Sequence, residues 1–315
     1  MNKKIIWYIL GAIVVGFIVV VIYQQRGSSQ PVQNSQGKIK VAASFYPLAD
    51  FARHVGGDLV SVVNITPAGA EPHDYEPTPQ DIAAVYDSKL FIFNGNGVDA
   101  WGDKIQADLE SKGVRTIKMN EHIESLQNNS PAGSEGAAAG AYDPHFWLDP
   151  VNAEKEADAI ANALISVDAS HQEIYVRNRD AFKAQLALLD QQYAAGLSSC
   201  QLRTIVTSHN AFNYLANRYN LSTLYILGLS ADQDPSPKTI ADVADAARAR
   251  GIKYIFFETL ISPKLATTIA TEIGAQTLVL NPIEGLSNEE IAAGNDYISE
   301  MKNNLANLRI ALSCR

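Results

Sequence analysis

Cysteine is scarce in this sequence of 315 residues, since Cys200 and Cys314 are the only two. In an oxidising exterior, an isolated pair is more typical of a disulfide than of a metal site or a nucleophile. We therefore expect these two cysteines to be bonded to each other. In the chain-entropy model, closing a loop of more than a hundred residues contributes about 4–5 kcal/mol and would tie the C-terminus to the second half of the chain.

Basic residues are also few, and they form no runs. The chain has 25 Lys and Arg against 34 Asp and Glu, which gives a formal net charge of −9. A nucleic-acid partner favours a clustered basic face, so this composition argues against one. A hydrophobic content of 47% with 19% charged residues fits a globular protein large enough for two domains.

One long apolar run is present, at the N-terminus, from Ile5 to Tyr23. As a helix these residues would span about 28 Å, close to the hydrocarbon core of about 30 Å. The alternative is a cleavable signal peptide, but such a segment has an apolar region of about 7–15 residues and ends in small residues, whereas this run ends in "VVVIYQQRG". We expect residues 1–23 to be an uncleaved transmembrane anchor.

The charges that flank this run place the rest of the chain outside the cell membrane. Lys3, Lys4 and the amino terminus outnumber Arg26, and positive ends tend to stay inside. No cysteine follows the run, so we expect no lipid-modified terminus. The polar residues 24–37 have no apolar period and are expected to form a flexible tether.

Short β-rich runs alternate with helical patterns along the remaining chain, a spacing typical of parallel strands joined by crossover helices. We predict an α/β protein with two lobes, residues 38–150 and 198–315, each with a four-stranded, mainly parallel sheet flanked by helices. The predicted strands are 38–46, 59–67, 90–95, 114–120, 203–209, 221–229, 253–259 and 276–282.

Between the lobes, residues 151–197 contain almost no helix-breaking residues. Aromatic and leucine residues recur there at helical spacing, which predicts one long rigid helix from about Gln172 to Gly196, spanning about 37 Å. Residues 47–55 are expected to form the first crossover helix, and Thr78 is expected to cap the second. Residues 124–142 are rich in Gly, Ala, Ser and Asn and indicate an exposed loop.

Three of the six histidines occur in loops, at His73, His145 and His209. His73 and His209 follow predicted strands closely, and ligands bind at the carboxyl ends of strands in parallel α/β lobes. His145 lies where the two lobes must face each other. The alternative is three unrelated loop histidines. The other three, His54, His122 and His171, are expected to be packed or solvated.

Three neutral imidazoles suit Zn²⁺, which in a tetrahedral site needs a fourth ligand. Glu284 lies just beyond the last predicted strand, in the same position relative to a strand as His73 and His209. Asn281 in the same loop is a poorer candidate, because an amide is neutral and donates weakly. Glu284 could also be an ordinary solvated loop acid.

Several segments together resemble the metal-binding solute receptors of ABC importers for zinc and manganese, also called cluster 9 or cluster A-I. The resemblance covers nearly all of the chain from Lys38 to Cys314. Its motifs occur in the family's order: "FYPLADFARHVGGD", "GAEPHDYEPTPQD", "FNGNGVDAW", "DPHFWLDP", "TSHNAFNYLANRY", "DPSPK" and "YIFFET". The family's fold, two α/β lobes joined by a rigid helix with the metal between them, agrees with the prediction made from the strand pattern.

By position, the resemblance implies metal ligands at His73, His145 and His209, with Glu284 in the fourth place as in zinc-type members. Manganese-type members usually have a carboxylate in place of the third histidine and an aspartate in the last loop, where this chain has Asn281. Two departures stand out: Asp99 replaces a common Glu, and the 124–142 loop lacks the histidine-rich tract of many zinc members.

The resemblance implies a membrane-anchored extracytoplasmic receptor, not an enzyme, that captures Zn²⁺ and passes it to an ABC permease. Mn²⁺ is the alternative cargo. A different class also fits three histidines, namely an extracellular zinc hydrolase, which needs an open metal position and a nearby base. Metal-dependent hydrolysis would separate the two classes. We expect a monomer that binds no nucleic acid.

Overall fold

The computed structural model describes residues 37–127, 142–230 and 235–315. Residues Lys38–Arg315 belong to one compact unit. The predicted anchor at 1–23, almost all of the predicted tether at 24–37 and most of the predicted loop at 124–142 lie outside the described residues. Within the described ranges, no helix combines the length and the apolar character needed to cross a membrane.

Each of the eight predicted strands is present, although every one is shorter than its predicted range. Their bounds are β1 Ile39–Ala43, β2 Val60–Asn64, β3 Leu90–Phe93, β4 Arg115–Lys118, β5 Thr204–Thr207, β6 Ser222–Tyr225, β7 Tyr254–Phe257 and β8 Gln276–Val279. All the strand pairings are parallel. The predicted α/β class is therefore confirmed.

The two halves of the compact unit differ in how their strands are bonded. The first half has a four-stranded sheet in the order β2-β1-β3-β4, and every residue of β3 is buried. In the second half the hydrogen-bonded ladders of the described residues join β5 to β6 and β7 to β8. The strands β5 and β7 lie side by side, and Ser208, which directly follows β5, donates a hydrogen bond from its Oγ to the carbonyl of Phe256 in β7 at 3.3 Å.

Ten α-helices connect and cover the strands in the described residues. Their bounds are α1 Tyr46–Gly56, α2 Pro79–Tyr86, α3 Ala100–Ser111, α4 Pro150–Val167, α5 Gln172–Gly196, α6 Asn213–Arg218, α7 Pro237–Ala249, α8 Lys264–Ile273, α9 Asn288–Ala292 and α10 Tyr297–Ala311. The helix α2 begins as predicted, with Pro79 in its first turn and a reciprocal capping box between Thr78 and Asp81.

The connecting segment contains two helices rather than one. The helix α5 has the predicted bounds, but α4 precedes it and packs against it. The chain leaves α4 at Asp168, whose backbone is not helical (φ −151°, ψ 68°) and whose carboxylate accepts hydrogen bonds from the side chains of Ser170, His171 and Tyr175. These local bonds compete with continued helix and turn the chain at this point.

The main hydrophobic cluster includes side chains from both halves and from the connecting helices. Phe51 of α1, for example, lies 5.3 Å from Phe182 of α5 and 4.8 Å from Tyr297 of α10, measured between ring centroids. Cys200 and Cys314 form a disulfide, as predicted. The bridge ties the end of α10 to the residues between α5 and β5.

Candidate metal centre

His73 lies in the loop after β2, within the short 3₁₀ turn Pro72–Asp74. The side chain of Glu71 accepts a hydrogen bond from the backbone N–H of His73 at 3.3 Å and caps the start of that turn. His73 is the candidate ligand nearest to solvent, because its side chain is 6% exposed whereas those of the other three candidates are fully buried.

His145 immediately precedes the 3₁₀ turn Phe146–Leu148, which leads into α4. Asp143 Oδ1 accepts hydrogen bonds from the backbone N–H of His145 at 2.9 Å and from its Nδ1 at 2.8 Å. A carboxylate only accepts, so in the neutral imidazole Nδ1 carries the proton and Nε2 has the lone pair that can bind a metal. The other oxygen of Asp143 accepts from Asn213 at 2.9 Å, which orients the carboxylate from the second half.

His209 follows β5 by two residues, and Glu258 directly follows β7. Because β5 and β7 lie side by side, their ends bring the two residues together. His209 Nδ1 lies 2.8 Å from both oxygens of Glu258, and the backbone N–H of His209 donates to one of them at 3.2 Å. The arrangement again leaves Nε2 of the histidine free to bind a metal.

Glu284 belongs to the segment 281–286 after β8, all of which is buried. Asn281, the poorer candidate ligand, has a structural part in this segment instead. Its side-chain oxygen accepts a hydrogen bond from the N–H of Ile283 at 2.8 Å, and its own N–H donates to the side chain of Asn304 at 2.8 Å. These bonds shape the turn from which the Glu284 carboxyl group extends.

Four ligand atoms from these loops converge on one point. His145 Nε2 is 3.3 Å from Nε2 of His73 and 3.3 Å from Nε2 of His209. Glu284 Oε1 is 3.5, 3.1 and 3.2 Å from the Nε2 atoms of the three histidines, in chain order. Tetrahedral zinc with bonds of about 2.0–2.1 Å requires ligand atoms about 3.3–3.4 Å apart. These five separations are close to the edges of a tetrahedral zinc site, and the remaining pair, His73 and His209, lies within 4.8 Å.

The charges in the site control its protonation. Burial lowers the pKa of His209, but the charges of Glu258 and Glu284 outweigh burial and raise that pKa well above its usual value. Burial also lowers the pKa of His145, and hydrogen bonds to Asp143 and Glu284 raise it by more. Although burial acts to raise the pKa of Glu284, the imidazoles hold it well below its usual range. A metal ion must therefore displace protons from imidazoles rather than from Glu284.

A second carboxyl group, that of Glu71, lies beside Glu284. Burial, the charge of Glu284 and a hydrogen bond to it raise the pKa of Glu71 to about 10. Two ionised carboxylates close together repel each other, which favours the protonated form of Glu71. The loops themselves are joined nearby, since the backbone N–H of Gly69 donates to the carbonyl of Leu286 at 3.0 Å.

The other candidates from the sequence lie outside this cluster. His54 stacks on Phe182, and His171 bonds to Asp168. His122 is exposed. Asp99, the departure from the related pattern, is buried, and its carboxylate accepts from the hydroxyl of Ser44 and from the backbone N–H groups that follow β3.

Three carboxyl groups around the ligand atoms were not predicted from the sequence, namely those of Asp143, Glu258 and Glu71. Glu258 could have been found by the criterion that selected His209, because each lies at the carboxyl end of a predicted strand, 253–259 and 203–209. Asp143 and Glu71 each precede a candidate histidine by two residues, a spacing that lets a carboxylate reach the backbone N–H of that histidine.

Residues 41–311 match the protein family described as "Zinc-uptake complex component A periplasmic". The chain is 34% identical over 321 residues to the high-affinity zinc uptake system protein ZnuA of Bacillus subtilis, and the match covers 99% of both chains. It is 36% identical over 283 residues to the zinc-binding lipoprotein AdcA of Streptococcus pneumoniae, a match that covers 88% of this chain and 56% of the relative. The chain thus spans about half the length of the streptococcal relatives.

A solved structure supports the same relationship. The crystal structure of the Zn(II)-bound ZnuA-like domain of Streptococcus pneumoniae AdcA is 36% identical in sequence to this chain, with a TM-score of 0.76. The match covers 88% of this chain and 99% of that domain. The similarity therefore extends over nearly the whole of the relative's domain.

Proposed function

Because the chain belongs to the family of zinc-uptake complex component A proteins, we propose that it is an extracytoplasmic receptor that captures Zn²⁺ and delivers it to an ABC importer. Its proposed ligands are His73, His145, His209 and Glu284. One observation carries the proposal: three imidazole nitrogens and one carboxylate oxygen lie 3.1–3.5 Å apart in all the pairs measured above.

This donor set favours Zn²⁺ over Mn²⁺. Imidazole nitrogen suits zinc, and four donors at tetrahedral spacing match its preferred structural geometry. Manganese favours oxygen ligands and an octahedral site, whereas three of the four donors here are nitrogen. Mn²⁺ is therefore the weaker of the two cargoes by this chemistry.

The hydrolase alternative does not agree with the family, which comprises transport binding proteins and not enzymes. The geometry supports the same conclusion. Catalytic zinc usually has three protein ligands and leaves the fourth position for water or substrate. In this site Glu284 Oε1 takes that fourth corner. The buried carboxylates of Asp143 and Glu258 are hydrogen-bonded to imidazoles of the site.

Partner and location follow from the same proposal. The receptor transfers Zn²⁺ to the permease of an ABC importer, and residues 1–23 anchor it with its globular part outside the cytoplasm. The AdcA relative of Streptococcus pneumoniae is described as a lipoprotein, so membrane attachment has a parallel in the family. The attachment proposed for this chain differs in kind, because it is a helix and not a lipid.

Metal competition tests the cargo. The full chain is purified in detergent, stripped of metal and exposed to equimolar Zn²⁺ and Mn²⁺. Bound metal is then measured by inductively coupled plasma mass spectrometry. We expect about one zinc per chain and little manganese. Predominant manganese would make Mn²⁺ the cargo. A scan for ester, peptide and phosphate hydrolysis with the zinc-loaded chain should show no turnover.

Substitution of the proposed ligands tests the site. His209→Ala should weaken Zn²⁺ binding by more than about 100-fold, since losing even a residue that supports a ligand costs 10- to 100-fold. Glu284→Ala and Glu284→Gln should weaken binding less, because water can occupy the vacated corner. His122→Ala is the control, as this exposed histidine lies outside the cluster. Unchanged zinc affinity in His209→Ala would refute the three-histidine site.

A further inference from the structure

The backbone immediately before Glu284 is strained. Ile283 has a φ of +58°, in the left-handed region that β-branched residues rarely adopt, and its side chain is fully buried. Such a conformation persists only where the surroundings enforce it. Because Ile283 precedes a proposed ligand directly, whatever enforces its conformation also determines where the carboxyl group of Glu284 lies.

Two hydrogen bonds hold the peptide group that directly precedes the strained Cα of Ile283. The side-chain oxygen of Asn281 accepts from the N–H of Ile283 at 2.8 Å. The indole N–H of Trp147 donates to the carbonyl of Pro282 at 2.8 Å, which is the peptide group between Pro282 and Ile283. The first bond is local to the segment. The second comes from a residue 135 positions away in the chain.

Trp147 is rigidly placed for this contact. It follows His145 by two residues, is fully buried, and packs its ring edge-on against Phe45 at 4.9 Å between centroids. Its ring also lies 5.3 Å from the imidazole of His145. One side chain therefore contacts the ligand loop of the first half and holds the ligand loop of the second half.

We propose that Trp147 is a positioning residue for zinc capture: its indole N–H holds the strained segment 282–284 in the conformation in which Glu284 Oε1 reaches the three imidazoles. This inference rests on the proposed function. Without the bond, the left-handed backbone of Ile283 loses an external restraint, and Glu284 moves off its corner of the site. Trp147 thus acts on the metal through Glu284.

Removal of the indole N–H tests this role. We would measure zinc affinity by competition titration in the full chain carrying Trp147→Phe, and in a chain with Trp147 replaced by benzothienylalanine. This tryptophan isostere has sulfur in place of N–H and keeps the shape of the ring, so the fold is preserved. Each change should weaken Zn²⁺ binding by about 3- to 30-fold. The buried Trp101 belongs to another hydrophobic cluster, and Trp101→Phe should leave the affinity unchanged.

A double-mutant cycle separates positioning from general damage to the fold. If Trp147 acts through Glu284, its replacement should change zinc affinity by less than about 2-fold when Glu284 is already Ala. The visible spectrum of bound Co²⁺ in Trp147→Phe should also shift toward that of Glu284→Ala, because both lose the carboxylate from the metal.

Results that contradict the role of Trp147 differ from results that contradict the receptor function. Equal weakening in both backgrounds would assign Trp147 a purely structural role and overturn the inference. Unchanged affinity with the benzothienylalanine chain would also overturn it, while leaving the receptor function intact if Glu284→Ala still weakens binding. Absence of zinc binding by the unmodified chain would instead refute the proposed function itself.

Discussion

Each buried imidazole of the site is paired with a carboxylate on the side away from the metal position. Asp143 lies behind His145 and Glu258 behind His209, each 2.8 Å from Nδ1. This pairing selects the tautomer that leaves Nε2 unprotonated, and it increases the basicity of the ligand nitrogen. It also limits rotation of the ring, so the nitrogen is already oriented when the metal arrives.

Glu258 provides the clearest test at the scale of single residues. Glu258→Gln keeps the size of the side chain but removes its negative charge, so the imidazole of His209 becomes a weaker and less well-oriented ligand. We expect zinc affinity to fall by about 10- to 100-fold. Glu272→Gln, at a half-exposed glutamate of α8, is the matched control and should have no effect. Equal affinities in the two variants would contradict a supporting role for Glu258.

At the scale of elements, the cap of α2 follows the loop that carries His73. Thr78 Oγ1 accepts from the N–H of Asp81, and the carboxylate of Asp81 accepts from the N–H of Thr78. Two backbone donors that the helix cannot satisfy are bonded in this way.

Thr78→Ala should lower the free energy of unfolding by about 1 kcal/mol, within a range of 0.5–2 kcal/mol. Denaturant unfolding of the metal-free chain would measure it. Thr268→Ala is the comparison, because Thr268 lies in the middle of α8, is exposed to solvent, and donates its side-chain hydroxyl to the carbonyl of Lys264. That change should be nearly neutral. A loss at Thr268 as large as that at Thr78 would contradict the capping explanation.

The disulfide also restrains the positions of secondary-structure elements relative to each other. Cys200 and Cys314 are separated by 114 positions, and their bond joins the end of α10 to the residues after α5. Replacing both by Ser should lower the free energy of unfolding by about 4–5 kcal/mol in the chain-entropy model, with little change in zinc affinity. Unfolding of the unmodified chain in reductant is the control. Two free thiols in the exported protein, detected in non-reduced peptides, would refute the bridge in its native setting.

At the scale of the whole molecule, the site couples metal binding to pH. The folded, metal-free protein has raised pKa values at His145 and His209 and a lowered pKa at Glu284. The histidine contribution to the stability of the metal-free form is therefore complete below about pH 6.5 and is lost as the pH rises through the raised values. The contribution of Glu284 is present above about pH 4.5 and is lost as the pH falls through its lowered value.

Zinc affinity should therefore fall with decreasing pH, and the fall should begin above pH 6.5, earlier than unperturbed imidazoles would give. The slope should exceed one decade per pH unit where more than one ligand takes up a proton. Competition titrations between pH 8 and pH 5 would measure it, together with the melting temperatures of the loaded and metal-free chains. The difference between these temperatures should shrink in acid. A flat affinity between pH 7 and pH 5 would be inconsistent with the proposed ligands.

Membrane attachment is also a property of the whole molecule. If residues 1–23 remain as an anchor, the mature protein keeps its N-terminus and fractionates with membranes. Membrane fractionation in the native host with N-terminal sequencing would measure this. Soluble protein that begins near residues 24–38 would show that the segment is a cleaved signal peptide.

The local pattern of the sequence was sufficient for the fold class and for the choice of candidate ligands. The β-rich runs and their alternation with helical patterns identified all eight strands. The positions of His209 and Glu284 at the ends of strands indicated that both lie at the carboxyl edge of the sheet. The position of a residue after a strand is informative because the loops at the carboxyl ends of parallel strands lie along the same edge of the sheet, whichever side chains they carry. The family was also recognisable from its motifs, and the comparisons confirmed it. The ligand assignment itself stays a prediction until metal binding is measured.

Tertiary structure alone decided which groups surround the ligand atoms. The bond from Trp147 to Pro282 spans 135 positions, and that between His209 and Glu258 spans 49. Strand and helix periodicity carries no information about such distant pairs. The turn at Asp168 between α4 and α5 depends on side-chain bonds that helical spacing does not reveal. The physical reason is the same in each case: local propensity determines elements, whereas ångström distances between loops depend on how the elements pack.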